Sequence, residues 1–451
     1  MLEDVLKRIR PTEEEKSAMA EVCARLLEKV AGRLMEVDGD LTAEVLGSVS
    51  RDTWLAREKD IDLFVKFPTT YSKRELEETV TALGKELLEK VEKRFAEHPY
   101  IRGRFEGYDV EIIPCYEVKA ATERVSAVDR TPFHDRFVRE NLGGRADEVR
   151  LLKQFLKGIG CYGAEARTEG FSGYLCELLI IRYGSFEETL RAASKWRPPV
   201  SIGLKGAKPC WEGQTQPAPM SFPDPTDSQR NVASALSMDR LSLFIYAAKE
   251  FLREPRQTFF FPNRRKADAR RVVERLRERG TWLVALSFTA PDVIEDILYT
   301  QLRKTVRTLE RLLSERDFTV IQSGFHAGER ITVAFELESP ALPAARLHQG
   351  PPVNSPREED FLRKHRGSEK ALGRPFIRGD RWAVFLKREQ RAAEGLIRDF
   401  LSQRGLRRKG IPSYMAGEIE KGFSILTAEE AVKENPGLYA ELFDPLFPWE
   451  V

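Results

Sequence analysis

Histidine and cysteine are scarce in this 451-residue chain, at five each. The cysteines (Cys23, Cys115, Cys161, Cys176 and Cys210) are scattered, odd in number and free of any Cys-x-x-Cys or Cys/His spacing. That excludes a disulfide scaffold and a zinc module. Long apolar runs are missing too, and none approaches the ~18 residues that a membrane helix needs. The opening MLEDVLKRIRPTEEEK has no apolar stretch of the signal-peptide kind. A cytoplasmic protein with no membrane partner is expected. Net charge is nearly absent, with 73 Lys and Arg against 71 Asp and Glu, so no global field advertises a polyanion. Two segments are locally basic: Arg264, Arg265, Lys266, Arg270 and Arg271, and the run Arg407-Arg408-Lys409. Alone, each reads as a solvated face.

What is present is core-forming material. Hydrophobic residues make up 41% and charged residues 32%, a balance that excludes a disordered or low-complexity chain. At ~150 residues per domain the length predicts two to four domains. Thr12-Glu13-Glu14-Glu15 is a capping box opening a helix that reaches about Leu34. Strands are expected around Ala43–Gly47 and Ile61–Phe67, with a short helix near Arg51–Leu55 between them. A long helix is expected over Lys73–Phe95, where Glu, Lys and Leu recur at helical spacing. Ile101–Phe105 and Tyr108–Pro114 flank Glu106-Gly107 and predict a hairpin. Asp147 to Lys195 is helical, Pro198–Pro225 reads as loop, and Asn231–Glu254 is helical again. Further on, strands over Thr281–Thr289, Phe318–Phe325, Arg330–Leu337 and Arg381–Leu386 predict a four-stranded sheet. Helices accompany it over Arg264–Arg279 and Ile294–Ser314, and a Pro-, Gly- and charge-rich insertion interrupts it over Pro340–Gly379. The expected fold is multidomain α+β: an N-terminal mixed sheet with helices, a helical centre, and a C-terminal α/β region with a four-stranded sheet and a tail.

The chemistry concentrates in Gly47-Ser48-Val49-Ser50-Arg51 and Lys59-Asp60-Ile61-Asp62-Leu63. A Gly-Ser at a strand end, opening a helix, turns backbone N–H groups and a hydroxyl toward an anion. On a strand, Asp60 and Asp62 share one face while Ile61 and Leu63 take the other. Carboxylates so close repel, and they are stable only with a cation between them or a shared proton. Facing a phosphate-binding turn, Mg²⁺ bridging to a nucleoside triphosphate is the stronger reading. A third carboxylate would complete a two-metal site. The strand Tyr108–Pro114 offers two on one face, Asp109 and Glu111.

These residues resemble the nucleotidyltransferase superfamily that includes DNA polymerase beta, and in detail the archaeal (class I) CCA-adding enzymes, the tRNA nucleotidyltransferases. GSVSRDTWLAREKDIDLFVKFP, EHPYIRGRFEGYDVEIIPCYE, AVDRTPFH, EVRLLKQFLK, GFSGYLCELL and DSQRNVA resemble that family's blocks, in its order, over about residues 40–240; HQGPPV follows at His348–Val353. Together they are far more specific than any one. The resemblance implies two Mg²⁺ ions held by Asp60, Asp62 and Glu111. Glu111 stands where the family often has aspartate, and Asp109 is the fallback. It also implies nucleotide contacts from Ser48, Arg51, His134, Lys153 and Tyr162, and a base contact from Arg230. The residues around these positions agree. Lys153 lies at the edge of the arc Val149, Leu152, Phe155 and Leu156, where a lysine can bury its stem and offer its ammonium to a phosphate. His134 has no metal-ligand partner at useful spacing, so a hydrogen-bonding role suits it better than zinc. Glu177, on an apolar helix, needs a partner charge, most simply a structural salt bridge.

The activity implied is template-independent addition and repair of the 3′-terminal CCA of tRNA from CTP and ATP, releasing pyrophosphate. The implied division is a catalytic domain over 1–142, a mainly helical nucleotide- and base-binding domain over 143–256, and a tRNA-binding body and tail over 257–451. A homodimer is compatible with the resemblance. Two rivals remain. A poly(A) polymerase-like terminal nucleotidyltransferase would use the same acids for a different product. A non-catalytic RNA-binding protein on a degenerate transferase fold would have no need of an intact acidic set.

Overall fold

In the computed structural model, Thr12 and Glu15 close the predicted capping box: the Thr12 hydroxyl accepts from the Glu15 amide and the Glu15 carboxylate from the Thr12 amide. The structure describes every residue except 96–98, 205–217, 264–268, 444 and 451, so Cys210, Arg264, Arg265 and Lys266 lie outside the described residues. The other four cysteines are buried and unpaired. Contacts divide the chain into two units, Met1–Arg264 with Phe447–Val451, and Arg265–Leu446.

The first unit begins with helices α1 (Leu2–Ile9) and α2 (Glu13–Val37), then strand β1 (Thr42–Leu46), a single turn α3 (Gly47–Ser50), strand β2 (Asp60–Phe67) and helix α4 (Lys73–Leu87). Strands β3 (Glu89–Phe95), β4 (Pro99–Phe105) and β5 (Tyr108–Tyr116) complete a five-stranded mixed sheet in the order β1-β2-β5-β4-β3. Two expectations fail here. The short helix lies at Gly47–Ser50, ahead of Arg51, because the chain turns directly out of β1. The long helix over Lys73–Phe95 stops at Leu87, and the charged remainder pairs with β4 as β3. An edge strand protected by charge carries Glu and Lys on both faces, which mimics a solvated helix in composition. Alternation along β2 sends Ile61, Leu63, Val65 and Phe67 into a core with α2 and α4, built on Leu26, Val30, Leu76 and Val80. That burial fixes the acids on the opposite face.

Helices α5 (Thr131–Asn141), α6 (Ala146–Gly158), α7 (Gly173–Tyr183), α8 (Phe186–Ala193) and α9 (Met238–Arg253) follow, with two-residue parallel strands β6 (Val200–Ser201) and β7 (Met220–Ser221) before α9. Their core centres on Phe155, whose ring meets those of Phe186, Phe251, Phe259 and Phe260. Helix α1 belongs to this core through Val5, Leu6 and Ile9. So does Trp449, stacked on Phe259 at 4.8 Å. The last residues therefore return to the first unit, although the sequence placed them with a C-terminal tail.

The second unit contains α10 (Ala269–Arg279), β8 (Trp282–Thr289), α11 (Glu295–Glu315), β9 (Val320–Ala327), β10 (Arg330–Leu337), β11 (Ala345–Pro352), α12 (Glu358–His365), β12 (Phe376–Arg378), β13 (Arg381–Lys387), α13 (Ala393–Leu401), α14 (Ser413–Lys421), β14 (Phe423–Leu426), α15 (Ala428–Glu434) and α16 (Pro436–Phe443). Its four-stranded antiparallel sheet runs β14-β8-β10-β9. The expected fourth strand, Arg381–Leu386, instead centres a separate three-stranded sheet, β11-β13-β12, formed with the insertion. Among the described residues, no helix is long and apolar enough to cross a membrane.

Candidate active site

The acidic face of the first sheet is set by strand register. Parallel pairing of β2 with β5 puts Asp60 opposite Asp109 and Asp62 opposite Glu111. Asp109 is engaged by Arg104, Nε to Oδ1 at 3.1 Å. Glu111 instead faces its fellow acids: burial raises its pKa, and the charges of Asp62 and Asp60 add to the rise against Arg102 and Arg94. Asp62 is pushed up to about 6 by burial and by Asp60, with Arg51 and Lys153 pulling the other way. Asp60 is raised by desolvation, then by Glu58 and Asp109. All three carboxyl groups are thus less favourable as carboxylates here than in water, through burial first and neighbouring acids second. Among the described residues, no three Asp, Glu, His or Cys side chains already close around a single point. The arrangement is an open, all-oxygen one, the donor chemistry of a hard divalent cation whose remaining ligands are water and phosphate.

Gly47 makes room for the central acid. At φ +80° it needs glycine's freedom, and a Cβ there would stand 2.3 Å from Asp62 Oδ2. Ser48 is half-buried in the α3 turn, and its carbonyl accepts from the Thr53 amide at 2.9 Å.

Arg51 is the hub of the wall beside the acids. Its Nε donates to the Gly47 carbonyl at 2.8 Å and lies 3.5 Å from Asp135 Oδ1; its Nη1 lies 2.7 Å from Glu177 Oε2. Glu177 thus has the salt bridge that its burial demanded, and it also accepts from the Thr53 hydroxyl at 2.6 Å. Lys153 lies deeper than the sequence suggested. Its side chain is buried rather than reaching from an edge, with Nζ donating to the Thr53 carbonyl at 3.0 Å and hydroxyl at 3.2 Å. Burial lowers its pKa, with Glu177 opposing. Tyr162 joins it at the start of α7: a Cβ on Gly173 would lie 3.2 Å from the Tyr162 hydroxyl and 3.8 Å from Lys153 Nζ.

A second cluster adjoins Arg51. The buried His134 lies stacked on Tyr174, ring centroids 4.2 Å apart, and its Nε2 meets Asp224 Oδ2 at 2.7 Å. Arg230 reaches the same oxygen through Nη1 at 2.8 Å. Burial holds His134 below its usual pKa, with Arg230 and Arg51 contributing. Against an ionised Asp224 the ring nitrogen Nε2 is the donor of this hydrogen bond. Desolvation of Asp224 is outweighed by its hydrogen bonds from His134, Thr226 and Arg230, which hold it well below the usual carboxylate range.

The first unit thus brings Asp60, Asp62, Glu111, Ser48, Arg51, Lys153 and Tyr162 together, with His134 and Arg230 alongside. Sequence reasoning missed Thr53, Asp135 and Asp224, the groups that hold these side chains in place. Thr53 lies in the quoted GSVSRDTW block, but nothing in its local pattern marks its partners 100 and 124 residues away.

The Asp62 shift sets a pH dependence. A carboxyl raised from 3.8 to about 6 on folding keeps a proton in the native state that the unfolded chain has lost. This group's contribution to stability is therefore fully present below the lower value and lost as pH rises through the upper one. A cation must displace the proton, so Mg²⁺ should raise the melting temperature more at about pH 7.5 than at about pH 5.5. Thermal melts with and without Mg²⁺ at the two pH values check this; equal shifts would remove Asp62 from the ligand set.

Known proteins match the same segments. Residues 27–134 match the nucleotidyltransferase domain, 147–261 the second domain of tRNA nucleotidyltransferase, and 279–428 the C-terminal domain of CCA-adding enzyme. The CCA-adding enzyme of Methanosarcina acetivorans is 39% identical over 420 residues, 92% of this chain and 91% of that one. That of Halobacterium salinarum is 40% identical over 403 residues, 88% of each chain. That of Methanothermobacter thermautotrophicus is 37% identical over 456 residues, 99% of this chain and 98% of its own.

Proposed function

Because the chain belongs to the CCA-adding enzymes, a family of nucleotidyltransferases, we propose that it completes and repairs the 3′-terminal CCA of tRNA from CTP and ATP. The observation that carries this reading is the shared acidic face of Asp60, Asp62 and Glu111, set by the pairing of β2 with β5, beside the side chains of Arg51 and Lys153. Asp60, Asp62 and Glu111 would hold Mg²⁺. When bound, two such ions supply activation of the attacking 3′-hydroxyl and neutralisation of the departing pyrophosphate. The protein's own part is positioning and electrostatics. Arg51, half satisfied by Glu177, and Lys153, held on Thr53, stand beside the acids as cations for a triphosphate. An arriving phosphate raises the Lys153 pKa again, because a nearby anion favours the ammonium form. Tyr162 and Ser48 add hydroxyl donors, and His134 and Arg230 form the side on which a base is read. We assign catalysis to residues 1–142, nucleotide and base binding to 143–256, and tRNA holding to 257–451, where Arg407 and Arg408 are exposed.

The test is product sequencing after incubation with tRNA lacking CCA, tRNA lacking only the terminal A, and oligo(A). Addition of C, C and A to the first and A to the second is expected. Extension of oligo(A) with repeated A would favour a poly(A) polymerase and overturn the reading.

A further inference from the structure

We propose that Asp224 is a positioning residue for base selection, holding Arg230 and His134 in one arrangement at the side of the nucleotide site. This rests on the reading that the chain adds C and A. Asp224 is 1% exposed and was no candidate on sequence grounds. Five donor groups converge on its two oxygens. His134 Nε2 at 2.7 Å and Arg230 Nη1 at 2.8 Å meet Oδ2; the Thr226 amide at 2.9 Å, the Thr226 hydroxyl at 2.8 Å and the Tyr174 hydroxyl at 3.3 Å meet Oδ1. A carboxylate offers about four lone-pair sites, so nothing is left over for a nucleotide. Asp224 therefore acts through the groups it holds.

Those groups come from three places in the chain: α5 supplies His134, α7 supplies Tyr174, and the segment before α9 supplies Arg230. The Asp224 amide also donates to the Arg230 carbonyl at 3.0 Å, tying the backbone of the two residues together. Arg230 keeps a side chain 33% exposed, and the hold of Asp224 on Nη1 restricts the orientations in which its planar guanidinium can present its other N–H groups. Cytosine and adenine both place an unprotonated ring nitrogen beside an exocyclic amine. Uracil and guanine place a ring N–H at that position, which a fixed donor rejects because donor would face donor. A guanidinium released from Asp224 could swing to a carbonyl oxygen of uracil, so discrimination depends on the clamp.

The experiment measures single additions of CTP, ATP and UTP to truncated tRNA by the full chain, Asp224→Asn, Arg230→Ala and the double variant. Asp224→Asn should lower the preference for C over U by about tenfold, through a raised KM for CTP with kcat within about threefold. The double variant should be no worse than Arg230→Ala, as expected for residues acting as one unit. Parental preference in Asp224→Asn, or effects that multiply in the double variant, would overturn the proposal, since a merely structural residue would act independently of Arg230. Asp224→Glu keeps the buried charge but moves it by a bond length. Its preference should fall between those of the parent and the Asn variant; if Asp224→Asn does not fold, parental preference in Asp224→Glu overturns the proposal. A parent adding neither C nor A overturns the proposed function itself, and the role of Asp224 with it.

Discussion

Asp62→Asn is expected to lower nucleotide incorporation by about three orders of magnitude or more while leaving tRNA affinity within about threefold of the parent. Asparagine keeps the size and most of the hydrogen-bonding shape of the side chain, so the loss isolates charge. The position is the most demanding of the three acids: it is paired across the sheet with Glu111, it has Asp60 on its own strand, and its pKa is already up to about 6. Removing the charge also relieves repulsion, so stability in the absence of Mg²⁺ should hold or rise while activity collapses. Opposite movement of the two quantities separates a site built for a ligand from one built for stability. Single-turnover addition of CMP and gel-shift titration with tRNA, alongside thermal melts, check all three parts. A variant retaining a tenth of parental activity would show that Asp62 does not hold the metal.

Gly47→Ala should cost about a hundredfold in incorporation, through geometry rather than charge. Its new methyl would stand 2.3 Å from Asp62 Oδ2 and 3.3 Å from Cγ, so the carboxylate must leave its place. Backbone strain at φ +80° contributes as well, at roughly 1 kcal/mol. Gly107 in the β4–β5 turn separates the two effects: it has φ +81°, and nothing lies within 4 Å of its Cβ position. Gly107→Ala should therefore lose similar stability while keeping activity within about threefold. Equal activity losses in the two variants would mean that strain, and not displacement of Asp62, is responsible.

How far the site could be read from the chain differs from residue to residue. Asp60 and Asp62 were legible because alternation along a strand is a local property, and the apolar partners Ile61 and Leu63 declare which face is buried. The choice between Asp109 and Glu111 was not legible from the strand itself, since both lie on its acid-bearing face. Register sets each opposite an acid of β2, Asp109 across from Asp60 and Glu111 across from Asp62, and what separates them is the ion pair of Asp109 with Arg104. The depth of Lys153 was misjudged because an apolar arc shows which way a helix faces but not what covers its edge; the carbonyl and hydroxyl of Thr53 make full burial tolerable. β3 was misread as helix because an edge strand and a solvated helix share a charged composition.

The sequence by itself determined the α+β class, the helix start at Thr12, the hairpin turn at Glu106-Gly107, and the sharing of one face by Asp60 and Asp62. Caps, turns and side-chain periodicity depend on groups within about four residues of one another, so their chemistry is written contiguously. Only the tertiary structure decided that Phe423–Leu426 rather than Arg381–Leu386 completes the four-stranded sheet, that Trp449 returns to the first unit, and that Asp224 binds His134 from 90 residues away. Such pairings join groups far apart in the chain, where many alternative partners have similar local chemistry. They are settled by burial and by hydrogen bonds that exist only once the strands and helices have packed.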